Sequence, residues 1–247
     1  MCNTNIISTE LSAFIDENKR YVLPKFFKTA KGQYGEGDKF LGITVPNIRK
    51  VAKRHLQLDI KELTKLLNSP WHEERMCALI IMVEQVKITQ KKSWLKTHTE
   101  EEGEKIRHKY YEFYLDNTQR INNWDLVDLS APTLIGLYLI NKDHWKLYQL
   151  AQSKNLWEQR IAIVSTFAFI RFYDFQDIYT LAELLIHHPH DLMQKAIGWM
   201  LREAGKRNKN KLTAFLEIHA HEMPRTMLRY SIEKLSDEER QYFMKKK

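Results

Sequence analysis

The chain has 247 residues and is 43% hydrophobic, enough for one large domain or two small ones with a sizeable core. Its 39 Lys and Arg residues outnumber 31 Asp and Glu residues, and the net charge of +8 favours nucleic acid or an anionic membrane as a partner, although a merely basic soluble protein stays open. No apolar run approaches the roughly 20 residues that cross a bilayer, and the N-terminus has no secretory signal pattern.

Few glycines and prolines punctuate the chain, eight and six respectively, and apolar residues seldom alternate. This pattern favours an all-α protein. No Ser-, Gly- or Pro-rich linker divides the chain, so we expect one domain over residues 1–247. The predicted helices cover about residues 8–28, 46–56, 59–68, 70–87, 89–97, 102–116, 123–140, 143–152, 156–172, 175–187, 190–206, 208–220, 223–234 and 236–246.

Several predicted helices begin in a similar way. Residues 71–75 and 157–160 each lead from a tryptophan through charged residues into an apolar run, and residues 193–195 and 224–225 begin two further helices. The last three starts are about 35 residues apart, which is typical of paired helices stacked in a solenoid. Each pair would bury its apolar face against its neighbours and leave a concave surface for a long partner. An irregular helical bundle is the alternative.

An aromatic residue and a carboxylate stand four residues apart near the start of the predicted helix 123–140. Trp124 and Asp128 therefore share one helix face. A ring beside a fixed negative charge suits a cationic, ring-shaped partner. Asp128 lies among apolar residues, where a carboxylate must be paired, hydrogen-bonded or used, so a structural role is the alternative.

The residues around this pair predict a helix start. Asn122 or Asn123 is a suitable N-cap. Asp125 lies in the first turn, where a carboxylate interacts favourably with the helix dipole. We take that interaction as a full account of Asp125 and assign it no chemistry.

Two later helices each carry an unusual residue. Arg160 aligns with Val164 and Phe167 on an apolar face, where a charge needs a phosphate or a carboxylate such as Asp128, unless its head group reaches water.

On the helix 190–206, Met193, Ile197, Met200 and Ala204 form the apolar stripe. Trp199 lies well off this stripe, about 120° from Met193. Trp199 has Lys195 and Arg202 as helical neighbours, so it can press on a sugar or base while the cations hold phosphates. Packing of Trp199 against the next repeat is the alternative.

Basic clusters recur along the chain and can together neutralise a phosphate backbone, although each alone is typical of a solvated face. They comprise Arg49, Lys50, Lys53 and Arg54; Lys91 and Lys92; Lys206, Arg207, Lys209 and Lys211; and Arg225 and Arg229.

Other motifs give weaker signals. The glycines at 32–37 lack the Lys and Ser or Thr of a phosphate loop, and we expect a turn there. The histidines at 187–190 and 219–221 do not have the spacing of a closed zinc site. Cys2 and Cys77 have no metal or redox spacing, which indicates a reducing cytoplasm.

The sequence resembles the AlkD-type DNA alkylation repair glycosylases, which are built of HEAT-like repeats. The segments 123–128 and 195–199, taken together and in order, are the specific part of the likeness. The matching segments are 31–42 with Val45 and Pro46, 71–75, 123–128 with Ala131 and Pro132, 156–160, and 195–203.

The resemblance implies a curved α-solenoid with a concave basic face around duplex DNA, without metal or cofactor. It implies release of cationic N3- and N7-alkylated purines, such as 3-methyladenine and 7-methylguanine, in base excision repair. It makes Asp128, Trp124 and Trp199 the catalytic residues in one cleft, and Arg160 the arginine that grips DNA. Lys195 keeps the positive charge where the family more often has an arginine-like cation.

On the concave face that the resemblance implies, we expect Lys195, Arg202 and Arg229 to contact DNA beside Arg160. We expect a monomer, since one wrapped duplex needs no second subunit. Two alternatives stay open: a non-catalytic solenoid that binds damaged or distorted DNA, and a protein-interaction scaffold.

Overall fold

A computed structural model describes residues 4–246, so Cys2 lies outside the described residues. Within this range the chain is helical and has no strand, apart from one isolated parallel bridge between Lys39 and Trp71. The predicted all-α class is therefore confirmed. None of the helices described is long and apolar enough to cross a membrane. The chain divides into two compact units, Met1–Ser130 and Ala131–Lys247; the assignment of one domain to residues 1–247 stays a prediction.

The helices of the first unit begin where the sequence offers a cap. Asp16, Asp59 and Thr99 each accept a hydrogen bond from a backbone N–H of the first turn. The prediction of one helix over 8–28 is wrong, because Asp16 caps a second helix within that range. The helices are α1 (Thr4–Ser12), α2 (Glu17–Phe26), α3 (Val45–Arg54), α4 (Ile60–Leu67), α5 (His72–Ile88), α6 (Lys92–Leu95), α7 (Glu100–Asp116) and α8 (Trp124–Ala131).

Helix α5 is the centre of this unit, and α3, α4 and α7 pack against it. Every residue from His72 to Val83 is buried, including the four polar residues of the first turn. Such groups must find partners inside the protein. Glu73 accepts the backbone N–H groups of residues 41–43 at 2.8–3.2 Å. The start of α5 therefore holds the segment that precedes α3.

The second unit opens with a break in a predicted helix. We expected one helix over 123–140, but Pro132 carries no backbone N–H, and a π-helical turn at Pro132–Gly136 follows α8. The remaining helices are α9 (Leu137–Leu139), α10 (Trp145–Ala151), α11 (Leu156–Arg171), α12 (Gln176–Leu184), α13 (Asp191–Gly205), α14 (Lys209–His219), α15 (Arg225–Ile232) and α16 (Asp237–Lys245).

The second unit repeats one arrangement of helices. Helix α11 packs against α13, and α13 packs against α15, while α12 contacts both α11 and α13. The three stacked helices begin at residues 156, 191 and 225, at intervals of 35 and 34 residues. The predicted spacing of the helical repeat is confirmed in this unit.

Helices α13 and α15 approach closely at Gly198. A β-carbon at this position would lie 2.5 Å from the Met227 carbonyl oxygen and 2.6 Å from the Tyr230 β-carbon. Only glycine fits this contact without a shift of one helix.

We therefore expect Gly198→Ala to destabilise the protein by about 1–3 kcal/mol, the cost of overpacking, even though alanine favours a helix. Urea unfolding measures this difference. Ala214→Ser, at an exposed position of α14, is the control and should change stability by less than about 0.5 kcal/mol. Equal stability of Gly198→Ala and the parent protein would contradict the close packing of α13 on α15.

Candidate functional site

Helix α8 presents Trp124 and Asp128 one turn apart, as the sequence spacing predicts, and both side chains are partly exposed. Leu126 and Val127 on the opposite side are fully buried. The helix begins at Trp124, whose backbone N–H donates to the side-chain oxygen of Asn123 at 2.9 Å. The Trp124 ring and the Asp128 carboxylate therefore lie on one helix, whose opposite side is buried.

The Trp124 ring rests on a column of aromatic side chains. It stacks on Phe27 with 5.4 Å between ring centroids and 17° between planes. Phe27 stacks on Phe40 at 4.8 Å, and Phe40 stacks on the His72 imidazole at 4.5 Å. Phe26 meets Trp124 edge-on at 6.1 Å. One face of the indole is therefore covered by Phe27.

His72 lies between two carboxylates. Its Nδ1 is 2.8 Å from Asp38 Oδ2, and its Nε2 is 2.9 Å from Asp125 Oδ2. Ionised carboxylates only accept hydrogen bonds, so both ring nitrogens must donate, and the ring is an imidazolium. Burial lowers the pKa of His72, but the charges and hydrogen bonds of Asp125 and Asp38 outweigh burial and raise it to about 9.

Asp38 has three partners in this network. Besides bonding to His72, its buried carboxylate forms an ion pair with the Arg75 guanidinium and accepts a hydrogen bond from the Asn123 side-chain amide at 3.4 Å. Burial raises the pKa of Asp38, but His72 and Arg75 together lower it below its ordinary value. Positive and negative groups thus alternate from Arg75 through Asp38 and His72 to Asp125. Each charge therefore has a neighbour of opposite sign, which offsets the cost of its burial.

Our sequence interpretation of Asp125 is corrected by these contacts. We assigned Asp125 to the helix dipole alone, but its carboxylate reaches across to His72 and ties α8 to α5. The sequence separates these two residues by 53 positions, and no short-range pattern links them. The signal that could have drawn attention to His72 is the run of polar residues 72–75 directly before a wholly apolar segment.

Asp128 lies near a buried hydroxyl pair. Tyr114 Oη and Ser130 Oγ are 3.0 Å apart, and Ser130 donates to the Leu126 carbonyl. Burial raises the pKa of Tyr114, and the nearby Asp128 carboxylate raises it further. The Tyr114 hydroxyl therefore stays protonated beside Asp128.

In the second unit, α13 carries Trp199 at the edge of the core. The predicted stripe of Met193, Ile197, Met200 and Ala204 is fully buried. Trp199 is partly exposed, with its ring 6.3 Å from that of Phe167 on α11. The placement of Trp199 off the stripe is confirmed.

The cations beside Trp199 have partners on the protein. Lys195 pairs with Asp191 at 2.7 Å, and Arg202 pairs with Glu233 at the end of α15. Arg229 is exposed and has no hydrogen-bond or ion-pair partner among residues 4–246.

Arg160 is buried on α11, where the sequence places it on an apolar face. Its guanidinium donates to the Leu192 carbonyl at 2.5 Å, in the first turn of α13. We expected a phosphate or a carboxylate to satisfy this charge. A backbone carbonyl of the same unit does so in part, and Arg160 thereby links α11 to α13.

Two of the histidines that suggest a weak metal signal in the sequence, His187 and His219, lie beside a carboxylate. Glu222 accepts from His219 Nδ1 at 2.7 Å and lies 3.3 Å from His187 Nε2. Among residues 4–246, no group of three or more His, Cys, Asp or Glu side chains has the arrangement of a metal site. Cys77 is buried in the core of α5, as its apolar surroundings predict.

Comparison with known proteins identifies the class. A family model described as DNA alkylation repair enzyme matches residues 7–235, and the chain belongs to this family. A solved structure titled "Predicted DNA alkylation repair enzyme from Enterococcus faecalis" shares the fold, with a TM-score of 0.64 and 15% identity over 90% of this chain and 97% of that one. No curated protein matches the chain. The family supports a role in alkylation repair, with DNA as the partner.

The charge on His72 predicts a loss of stability at alkaline pH. Folding raises its pKa from the ordinary 6.5 to about 9, so the folded state holds one more proton between those values. The stabilisation is complete below pH 6.5 and is lost as the pH rises through 9, by about 3 kcal/mol in all. Urea unfolding at about pH 6 and about pH 9.5 measures this difference.

His72→Gln is the control for this experiment. A glutamine does not titrate, so the difference in unfolding free energy between the two pH values should shrink in the variant. The same difference in both proteins would assign the pH dependence to other groups.

Proposed function

We propose that this protein is a DNA glycosylase that removes cationic N3- and N7-alkylated purines from duplex DNA in base excision repair. The observation that carries the proposal is the Trp124–Asp128 pair on α8: a partly exposed ring and a partly exposed carboxylate one turn apart. Family membership supports the choice of alkylated DNA as the substrate.

The chemistry needs little beyond such a pair. An N3- or N7-alkylated purine is already cationic, so when its glycosidic bond breaks, the electron pair leaves with the base and the base departs neutral. No strong general acid is needed. Positive charge develops on the deoxyribose, and the Asp128 carboxylate can stabilise it and position the attacking water. Water adds to the sugar carbon and loses a proton, which leaves an abasic site.

The aromatic residues would hold the lesion. The free face of Trp124 can meet the cationic nucleotide, since Phe27 covers the other face. We propose the same type of contact for the partly exposed Trp199. Because the lesion is selected by its own charge and leaving ability, it need not enter a deep pocket, unlike the substrates of most base-flipping enzymes.

Cations of the second unit would bind the phosphates. Arg229 is exposed, and Lys195 can turn to DNA at small cost, because exposed ion pairs contribute only about 0–1 kcal/mol. We propose that Arg202, which is partly buried and paired with Glu233, also contacts DNA. We propose that Arg160, whose guanidinium also donates to the Leu192 carbonyl, contacts a phosphate. We further propose that the protein acts as a monomer on cytoplasmic DNA.

Asp128→Asn tests the catalytic assignment. The variant keeps the size of the side chain and removes its charge, so we expect single-turnover release of 7-methylguanine from a duplex to fall about 10²–10³-fold. Duplex affinity, measured by fluorescence anisotropy, should change little. Asp116→Asn, at the exposed end of α7, is the matched control and should keep the parental rate. A parental rate in Asp128→Asn would remove Asp128 from the mechanism.

Arg229→Ala tests the DNA-binding assignment in the second unit. Loss of one phosphate contact should weaken binding to all duplexes alike and reduce the slope of log affinity against log salt by about 1. Arg240→Ala, which removes an arginine paired with Asp237 on α16, is the control and should leave the slope unchanged. An unaltered slope in Arg229→Ala would place α15 outside the DNA contact.

A further inference from the structure

Trp124 is held through both of its neighbours in the sequence. On one side, Asn123 bonds to Asp38 at 3.4 Å. On the other side, Asp125 bonds to His72 at 2.9 Å, and His72 bonds to the same Asp38 at 2.8 Å. Both routes therefore lead to one buried carboxylate, which Arg75 neutralises from the side.

We propose that His72 is a positioning residue for Trp124: by bridging Asp38 and Asp125, it fixes the first turn of α8 and the orientation of the indole that meets the substrate. This inference rests on the proposed function, in which Trp124 contacts the cationic nucleotide. His72 itself is buried and is not a catalytic residue.

His72 also supports the Trp124 indole through the column of stacked aromatic rings. The imidazole stacks on Phe40 at 4.5 Å, Phe40 on Phe27 at 4.8 Å, and Phe27 on Trp124 at 5.4 Å. The hydrogen bond to Asp125 fixes the backbone of α8, and the aromatic stacking fixes the ring of Trp124. A displaced His72 would therefore move both the start of the helix and the support of the indole.

The bridge depends on one proton. A neutral imidazole has a single N–H and can donate to one carboxylate only, so the other would face a lone pair. The charged groups around the ring are Asp38 from the loop before α3, Asp125 from α8, and Arg75 and Glu73 from α5 itself. Arg75 keeps Asp38 charged and in place, so Asp125 is the partner that loses its bond when His72 is deprotonated.

The test follows the Trp124 ring directly. The protein is labelled with 5-fluorotryptophan, and among its six tryptophans the ¹⁹F resonance of Trp124 is assigned with Trp124→Phe. In the parent protein we expect this resonance to shift with a midpoint near the pH of about 9 at which His72 loses its proton. The single-turnover rate of 7-methylguanine release should fall with the same midpoint. Circular dichroism at each pH verifies that the protein is folded.

Asp125→Asn is the decisive variant. Its amide can donate to Nε2 of a neutral imidazole, while Nδ1–H still donates to Asp38, so both hydrogen bonds survive loss of the proton. We therefore expect the shift of the Trp124 resonance and the alkaline fall in rate to disappear. Because each protein is compared with itself across pH, effects of alkali on the substrate are common to both.

His72→Gln adds a readout at neutral pH. A glutamine amide can donate to one of the two carboxylates, and we expect base release to slow about 10- to 100-fold, the cost of a misplaced contact group, with a much smaller change in duplex affinity. If this variant does not fold, the parent and Asp125→Asn still decide the question.

Three results separate the proposals. A Trp124 resonance that is constant from about pH 7.5 to about pH 10 in the parent protein would overturn the positioning role. An identical pH dependence in Asp125→Asn would also overturn it. A parent protein that releases no base at any pH, yet shows the expected resonance shifts, would overturn the proposed function and leave the positioning role standing.

Discussion

The structure of the first unit depends on one imidazolium between two carboxylates. Burial of a charge costs several kcal/mol unless a partner of opposite sign compensates for it. The row from Arg75 through Asp38 and His72 to Asp125 alternates in sign, so its four charges sum to zero and each inner member touches two partners. Removal of Arg75 or Asp38 would leave an uncompensated charge in the core, whereas loss of the Asp125 charge is balanced when His72 gives up its proton.

The functional proposal follows from what this row supports. Asp125 and Asn123 flank Trp124, and both are tied to the network, so the start of α8 has little freedom. Rigid support of this kind suits a site in which one ring and one carboxylate must meet a substrate at fixed distances. A cationic purine supplies its own leaving ability, so a fixed carboxylate at Asp128 can suffice where other glycosylases need an acid as well.

The sequence predicts local features of this protein well and distant contacts poorly. The 35-residue spacing of helix starts and the buried stripe of α13 follow from apolar periodicity, and both are present. The break at Pro132 could have been predicted from its missing N–H. The bonds of His72 could not, because they join residues 34 and 53 positions away through tertiary packing. Likewise, an apolar face indicates that Arg160 needs a partner, but only the fold places the Leu192 carbonyl beside it.

The proposed function requires that the protein breaks the glycosidic bond of an alkylated purine. The most direct measurement is incubation of the parent protein with a duplex that contains one N7-methylguanine, with free base and abasic sites quantified over time. We expect release of intact 7-methylguanine, with one abasic site formed for each base released and no added metal or cofactor. Tight binding of the damaged duplex without release of base would overturn the proposed function and indicate a DNA-binding protein without glycosylase activity.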